Sequence, residues 1–312
     1  MKEFSFGVIG VGYLGRFHAD KYAAIPGIRF AGISDIDAAR LQEVSAALGV
    51  KAYPDYRELL INLDAVSIAV PTQRHFEIAK QALMAGVDIL VEKPMTVNSR
   101  EAGALNRMAA RKKKIIQVGH LERFNPAMAR VSGEIKKPGF IEAHRLAQFV
   151  ERGTDVDVVL DLMIHDIDLV LSMVKSRLKS VHSVGVPVIT RRVDIANARL
   201  EFANGCVANL TASRVSRDAM RKIRVFHESG YFSIDLQKRQ VMSVKREGPL
   251  GEGELNISAE AFECDQGDAL MDEIKSFVAS VKSRRKPVVS GEDGQEALRV
   301  AEKIISGMRK RR

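Results

Sequence analysis

The chain is expected to fold as an α/β protein of two domains. Residues 1–120 predict an N-terminal doubly wound parallel sheet, and residues 121–312 an α/β domain on a large, mainly antiparallel open sheet. Three observations predict this. A glycine-rich turn follows the first apolar run, strand-like and helix-like segments alternate through the first 119 residues, and the second half turns to long stretches of period two. At 312 residues the chain also exceeds the length at which one core keeps growing.

The apolar run 4–9 leads into Gly10-Val-Gly12-Tyr-Leu-Gly15, and a helical pattern covers 13–24. A second apolar run, 28–33, closes near Asp35, twenty residues after Gly15. Strand, glycine turn, helix, strand and acid in this order form the setting in which a glycine triplet binds a dinucleotide. Gly10 permits the tight turn, Gly12 lets the backbone approach a pyrophosphate, and Gly15 lets helix and strand pack closely. The helix start, with Tyr13 and Leu14 in its first turn, offers N–H groups to the phosphates. The carboxylate of Asp35 suits a ribose diol and would repel a 2′-phosphate, so NAD is expected over NADP.

Further strands are expected at 65–70, 88–91 and 115–118, with helices at 37–48, 73–85 and 99–111. A helical pattern at 158–174 then gives way to strands at 177–189, 194–202, 206–213, 222–227 and 231–235. Turn signals at Ala203-Asn-Gly205 and Glu228-Ser-Gly230 separate them. Residues 248–256 read as a mobile loop, and closing helices at 267–283 and 294–308 as packing back on the body, the last on the N-terminal domain.

A formal net charge of +9 raises the question of nucleic acid. The cations do not form a stripe interleaved with aromatics: Arg111-Lys-Lys-Lys114 sits where a helix should end, and Arg309-Lys-Arg-Arg312 is a terminus. A solvated cationic surface is the favoured reading, and a field that steers an anionic substrate is the second. Cys206 and Cys264 lack metal-ligand spacing, which suits a reduced cytoplasmic protein without a metal site. No apolar segment is long enough to span a membrane, and a strand beginning at once leaves no room for a signal peptide.

Two clusters carry possible chemistry. Val91-Glu92-Lys93-Pro94 ends the fourth strand, where ligands of an open parallel sheet bind, and Lys93 there could stabilise a developing alkoxide. A surface lysine on a loop would look the same. Asp161 and His165 are four apart and so share a helix face, with Asp168 on it too. A histidine beside a carboxylate suits a general base, and a structural histidine capped by an acid is the alternative.

Taken together, Gly10-x-Gly12-x-x-Gly15, Glu92-Lys93-Pro94 and Asp161-x-x-x-His165 resemble the motifs of the Gfo/Idh/MocA oxidoreductase family over nearly the whole chain. Pro71-Thr72 with His75, and Gly119-His-Leu-Glu-Arg123-Phe-Asn125-Pro126, resemble further family positions. The resemblance implies a Rossmann domain and a second domain whose open sheet mediates assembly as a homodimer or homotetramer. It implies hydride transfer between a sugar carbinol and nicotinamide, with Lys93, Asp161 and His165 catalytic. Lys93 and His165 are interchangeable as the immediate base. Thr72, His75, Glu92 and Lys93 would join the glycines at the cofactor, and Arg123, Asn125 and Arg152 would join Asp161 and His165 at the substrate. One departure is Asp157-Val-Val159, where many members carry glycines.

Within the family, 119–126 and 155–165 resemble the branch that oxidises C3 of UDP-N-acetylglucosamine. There the 3-keto sugar nucleotide passes to a PLP-dependent aminotransferase, giving a 3-amino sugar for lipid A of lipopolysaccharide. Arg145, Arg152 and Arg214 are then candidate phosphate partners, with sheet-edge charges as the alternative. Dehydrogenation of a free cyclitol or sugar, or of a UDP-sugar uronate, is the next reading, and a non-catalytic NAD sensor a remote one.

Overall fold

The computed structural model describes residues 3–150, 156–247, 256–264 and 267–309. They divide into two compact units: residues 1–121 with 268–298, and residues 122–267 with 299–312. The first boundary lies beside the expected one, but 268–298 returns to the first unit rather than staying in the second.

In the first unit, β1 (Ser5–Ile9), α1 (Tyr13–Ala24), β2 (Arg29–Ser34), α2 (Ala38–Leu48), β3 (Ala52–Tyr53), α3 (Tyr56–Leu60), β4 (Ala65–Ile68), α4 (His75–Met84), β5 (Asp88–Glu92), α5 (Ser99–Lys112) and β6 (Ile116–Gly119) follow in turn. All strands are parallel, in the order β3-β2-β1-β4-β5-β6. The order reverses between β1 and β4, and ligands of such sheets bind outside the carboxyl ends there. β1, β4 and all but the last residue of β5 are buried, as strands covered on both faces must be. β3 escapes the sequence reading because two residues carry no period.

The helix α8 (Ala269–Ser283) completes this unit. Its apolar stripe Ile274, Phe277, Val278 and Val281 joins the cluster of Phe6, Tyr22 and Ile25, with the rings of Phe6 and Phe277 edge to face at 6.2 Å. A helix separated from β1 by about 260 residues of chain thus closes the first core, which is why sequence position misassigned it.

The second unit opens with α6 (Pro126–Val131) and β7 (Phe140–Leu146), then α7 (Ile164–Val174). The strands β8 (Leu178–Val186), β9 (Ile195–Phe202), β10 (Val207–Ser213), β11 (Met220–His227), β12 (Gly230–Asp235), β13 (Gln240–Glu247) and β14 (Asn256–Glu263) follow. They form one sheet, β14-β13-β12-β11-β7-β10-β9-β8, antiparallel except where β7 meets β10. Alanines at 143, 196, 198, 208 and 212 keep the inner face low, and α7 lies against β7 and β10. The final helix, α9 (Gly291–Arg309), starts in the first unit, and its C-terminal part belongs to the second. There Ser183 Oγ donates to the Ile304 carbonyl.

β7 was not expected because its inward positions read Ile141, Ala143, Arg145, and an arginine breaks an apolar alternation. β13 and β14 were missed because charged and small residues fill much of both faces. Residues 248–255, most of the expected loop, lie outside the described residues.

Candidate active site

The cofactor corner is built by backbone. Gly10 has φ +84°, and a Cβ there would come 2.7 Å from the Ala69 carbonyl oxygen. A Cβ on Gly15 would overlap the carbonyl oxygen of Gly10, so α1 lies directly on the turn. At Gly12 the opposite holds: the nearest atom to a Cβ would be Arg40 Nη1 at 4.0 Å. That open space fits a pyrophosphate, and no side chain caps the start of α1 at Gly12. Tyr13 and Leu14 are exposed in its first turn, and Thr72 is half-buried just after Pro71.

Asp35 stands where the fingerprint requires an acid. Its Oδ2 accepts the N–H of Val11 at 2.7 Å and its Oδ1 that of Asp37 at 2.9 Å. The carboxylate therefore also fastens the glycine turn to the end of β2, leaving lone pairs for a diol. Arg40, on α2, approaches Asp35 Oδ1 to 3.8 Å and Asp37 to 3.1 Å. The sequence reading passed over Arg40, although a cation five residues after the acid was a visible signal.

Glu92 and His75, expected at the cofactor, each engage partners within the protein. Glu92 directs Oε1 to Nε2 of His18 and accepts the Lys93 N–H at Oε2. Burial pushes its carboxyl up, but the His18 hydrogen bond and the neighbouring positive charges offset this and hold it below its ordinary value. His75 is buried, with Nδ1 2.9 Å from the Pro94 carbonyl oxygen and Nε2 2.8 Å from that of Val70. Burial lowers its pKa against the pull of both carbonyls. With these atoms engaged, both residues brace the Lys93 segment.

In the second unit a π-helical turn, Val159–Met163, leads directly into α7. Such turns insert one extra residue and recur at functional sites. Leu160, Asp161, Leu162 and His165 are partly open here, while Asp166 and Asp168 are buried. Asp168 is therefore not on the open face: it takes a bidentate pair from Arg123, Nε to Oδ2 at 2.6 Å and Nη2 to Oδ1 at 2.8 Å. Asp166 holds Arg145 in the same way, and Arg145 Nη1 reaches Glu122 at 2.8 Å. Both carboxylates after His165 thus pin α7, which sets where the imidazole stands.

Three residues expected to face a ligand are buried. Arg145 is 3% exposed and saturated by Asp166 and Glu122. Arg214 is also 3% exposed, 3.1 Å from Asp194 and donating to the carbonyls of Val156 and Val193. Asn125 caps α6 and donates to Glu122 and the Leu236 carbonyl. Buried polar groups need partners inside the protein, and the bonds just given supply them for Arg145 and Asn125. Arg152 lies outside the described residues.

A Rossmann sheet with an intact dinucleotide turn, joined to a unit that presents a partly open Asp161 and His165, defines an NAD-dependent dehydrogenase acting on a CH–OH group. The chain belongs to the Gfo/Idh/MocA oxidoreductases. Residues 4–120 match the oxidoreductase family, NAD-binding Rossmann fold, and 113–233 match the GFO/IDH/MocA C-terminal domain.

Among its relatives is the UDP-N-acetylglucosamine 3-dehydrogenase of Acidithiobacillus ferrooxidans, 41% identical over 95% of this chain and 94% of the relative. A solved structure of that enzyme superposes with a TM-score of 0.93 at 38% identity, covering 99% of each chain. The myo-inositol 2-dehydrogenase of Thermotoga maritima is 28% identical over 94% of this chain and 92% of its own length. Among the described residues no group of three potential ligands could hold a metal, and no helix is long and apolar enough to cross a membrane.

Proposed function

We propose that this chain oxidises C3 of UDP-N-acetylglucosamine to the 3-keto sugar nucleotide, in a reversible reaction. The supporting observation is the 41% identity to a 3-dehydrogenase of that sugar nucleotide, across both units, against 28% to an inositol dehydrogenase. Bound NAD supplies the hydride acceptor, held by Gly10, Gly12, Gly15 and Asp35. His165 takes the hydroxyl proton, and Asp161 orients the sugar and supports the charge that forms on the imidazole. Lys93 stabilises the alkoxide-like oxygen; the roles of Lys93 and His165 can be exchanged. Arg123, although paired with Asp168, is 15% exposed and remains a substrate candidate.

The ketone passes to a PLP-dependent aminotransferase on the way to an amide-linked lipid A, and the enzyme works in the cytoplasm as a homo-oligomer formed through the second sheet. Light scattering on the purified protein tests the assembly, which a monomer at all concentrations would exclude.

The test of substrate is NADH formation over UDP-sugars, free hexoses and inositols, with an aminotransferase and glutamate removing any ketone. UDP-N-acetylglucosamine should react and free N-acetylglucosamine far less, because binding of the remote UDP group holds the reacting carbon. Oxidation of inositol or a free hexose with no response to any UDP-sugar overturns the assignment.

A further inference from the structure

The charge run Arg111–Lys114, left over by the dehydrogenase reading, has a partner elsewhere in the sequence. α5 ends at Lys112 with Lys113 left-handed (φ 54°), and α8 ends at Ser283 with Arg284 left-handed (φ 58°). Both ends open on one cavity of about 530 Å³ within the first unit, lined by Lys113, Lys114, Arg284, Arg285 and Lys286. Glu292 is the carboxylate that lines it. Two segments about 170 residues apart therefore bring five cations to one concavity.

Cations at helix C-termini ordinarily complement the helix dipole. Each helix end carries about half a negative charge. Two such ends, Glu292 and Asp88 behind Arg284 together leave the cluster of five with positive charge to spare. Arg284 is fixed as a wall: its guanidinium is held by Asp88 and by the Lys113 carbonyl. Asn106 ties α5 to α9 by donating to the Gly291 carbonyl and to Gln295. Lys113, Arg285 and Lys286 are exposed on the rim, while Ile115, Ile116 and Pro287 give an apolar floor.

The cavity is distinct from the cofactor end. Ile116 begins β6 and Asp88 begins β5, so it lies at the amino end of a parallel sheet. Lys93 follows the carboxyl end of β5, four residue steps away, or roughly 13 Å along the strand. Its volume falls among small-molecule sites of about 300–1,000 Å³. Among the described residues no aromatic side chain lines it, which removes the base stacking that single-stranded nucleic acid requires.

We infer that this cavity binds a small molecule bearing a di- or triphosphate, at a second site separate from that for NAD. Cations from two chain segments match a linear polyphosphate better than one phosphate, and the apolar floor takes an organic body.

The test is calorimetric titration of the full-length protein with inorganic tripolyphosphate and with ATP. The variant combines Lys113→Ser, Lys114→Ser, Arg285→Ser and Lys286→Ser, which spares Arg284 and the catalytic residues. The native protein should bind both probes, and the variant should bind them at least about tenfold more weakly, with NADH affinity unchanged. Native binding should also fall as salt rises. Absence of binding, or equal binding by the variant, overturns the inference. So does tight binding of a DNA duplex through these cations with no response to tripolyphosphate.

Discussion

Glu92 and His18 are joined side chain to side chain, Oε1 lying 3.0 Å from Nε2, and the same carboxylate accepts the backbone N–H of Lys93. His18 is 1% exposed on α1, the helix that opens at the dinucleotide turn. The pair therefore couples the helix of the cofactor corner to the start of the lysine segment. His18→Ala should leave the Glu92 carboxylate without its main partner and lower turnover about tenfold, with NADH affinity within about twofold. Stopped-flow rates beside NADH titrations check this, and native turnover in the variant would refute the brace.

Cofactor choice follows from Asp35. NAD should bind about tenfold or more tightly than NADP, a gap of about 1.4 kcal/mol. Asp35→Ser should narrow the gap. Arg40, already 3.8 Å away, is available to a 2′-phosphate once the carboxylate is gone, so Asp35→Ser/Arg40→Ala should bind NADP less well than Asp35→Ser alone. Fluorescence titration with both reduced cofactors measures it.

Lys93→Met and His165→Ala should each retain NADH binding and lower turnover by about a hundredfold or more. Near-native rates in both would remove these residues from the chemistry. The pH profiles of the two variants separate the base from the electrostatic partner, because only loss of the base abolishes the acidic limb.

Arg145→Met should be costly to stability. It strands the buried carboxylates of Asp166 and Glu122, and breaking one side of a buried pair costs about 3–5 kcal/mol. Burial already pushes the Asp166 carboxyl up against the pull of the guanidinium, so part of the loss should appear as proton uptake by Asp166. Urea unfolding at pH 6 and pH 8 tests this: the variant should lose less at the lower pH, where protonation relieves the stranded charge.

Asp194 governs an acid transition. Fully buried, it accepts the N–H groups of Val188, Ile189 and Thr190 at 2.7–2.8 Å and the Thr190 hydroxyl at 2.7 Å. Burial alone would raise its carboxyl, but these donors hold it well below the usual carboxylate range. A depressed folded pKa contributes stability above the unfolded value of about 3.9, and loses it as pH falls towards the folded one. Thermal melts should show Asp194→Asn less stable than the native protein by a constant margin from about pH 8 to 5, shrinking below about pH 4. A margin unchanged in acid would contradict this.

The dinucleotide turn, all five parallel-sheet strands beyond the two-residue β3, and the Asp161–His165 pair could be read directly because each is local. Glycine spacing, period and an i,i+4 pair depend on neighbours along the chain, and physics at that range is written in consecutive residues. Such signals also set the class of chemistry, since Lys93, Asp161 and His165 are few and stand in ordered motifs.

What the tertiary structure decided involves partners far apart in sequence. Arg145 and Arg214 look like available cations in one dimension, and only folding brings Asp166, Glu122 and Asp194 to them. His75 and Glu92 read as cofactor residues, and only folding shows their polar atoms also meeting Val70, Pro94, His18 and Lys93. α8 joins the first core because its apolar stripe meets Phe6 and Tyr22, a preference that burial rewards and sequence distance hides. The π turn before His165 is likewise a backbone adjustment to packing, which no residue type announces. Local sequence determined which groups could act, and long-range packing decided which of them were left to do so.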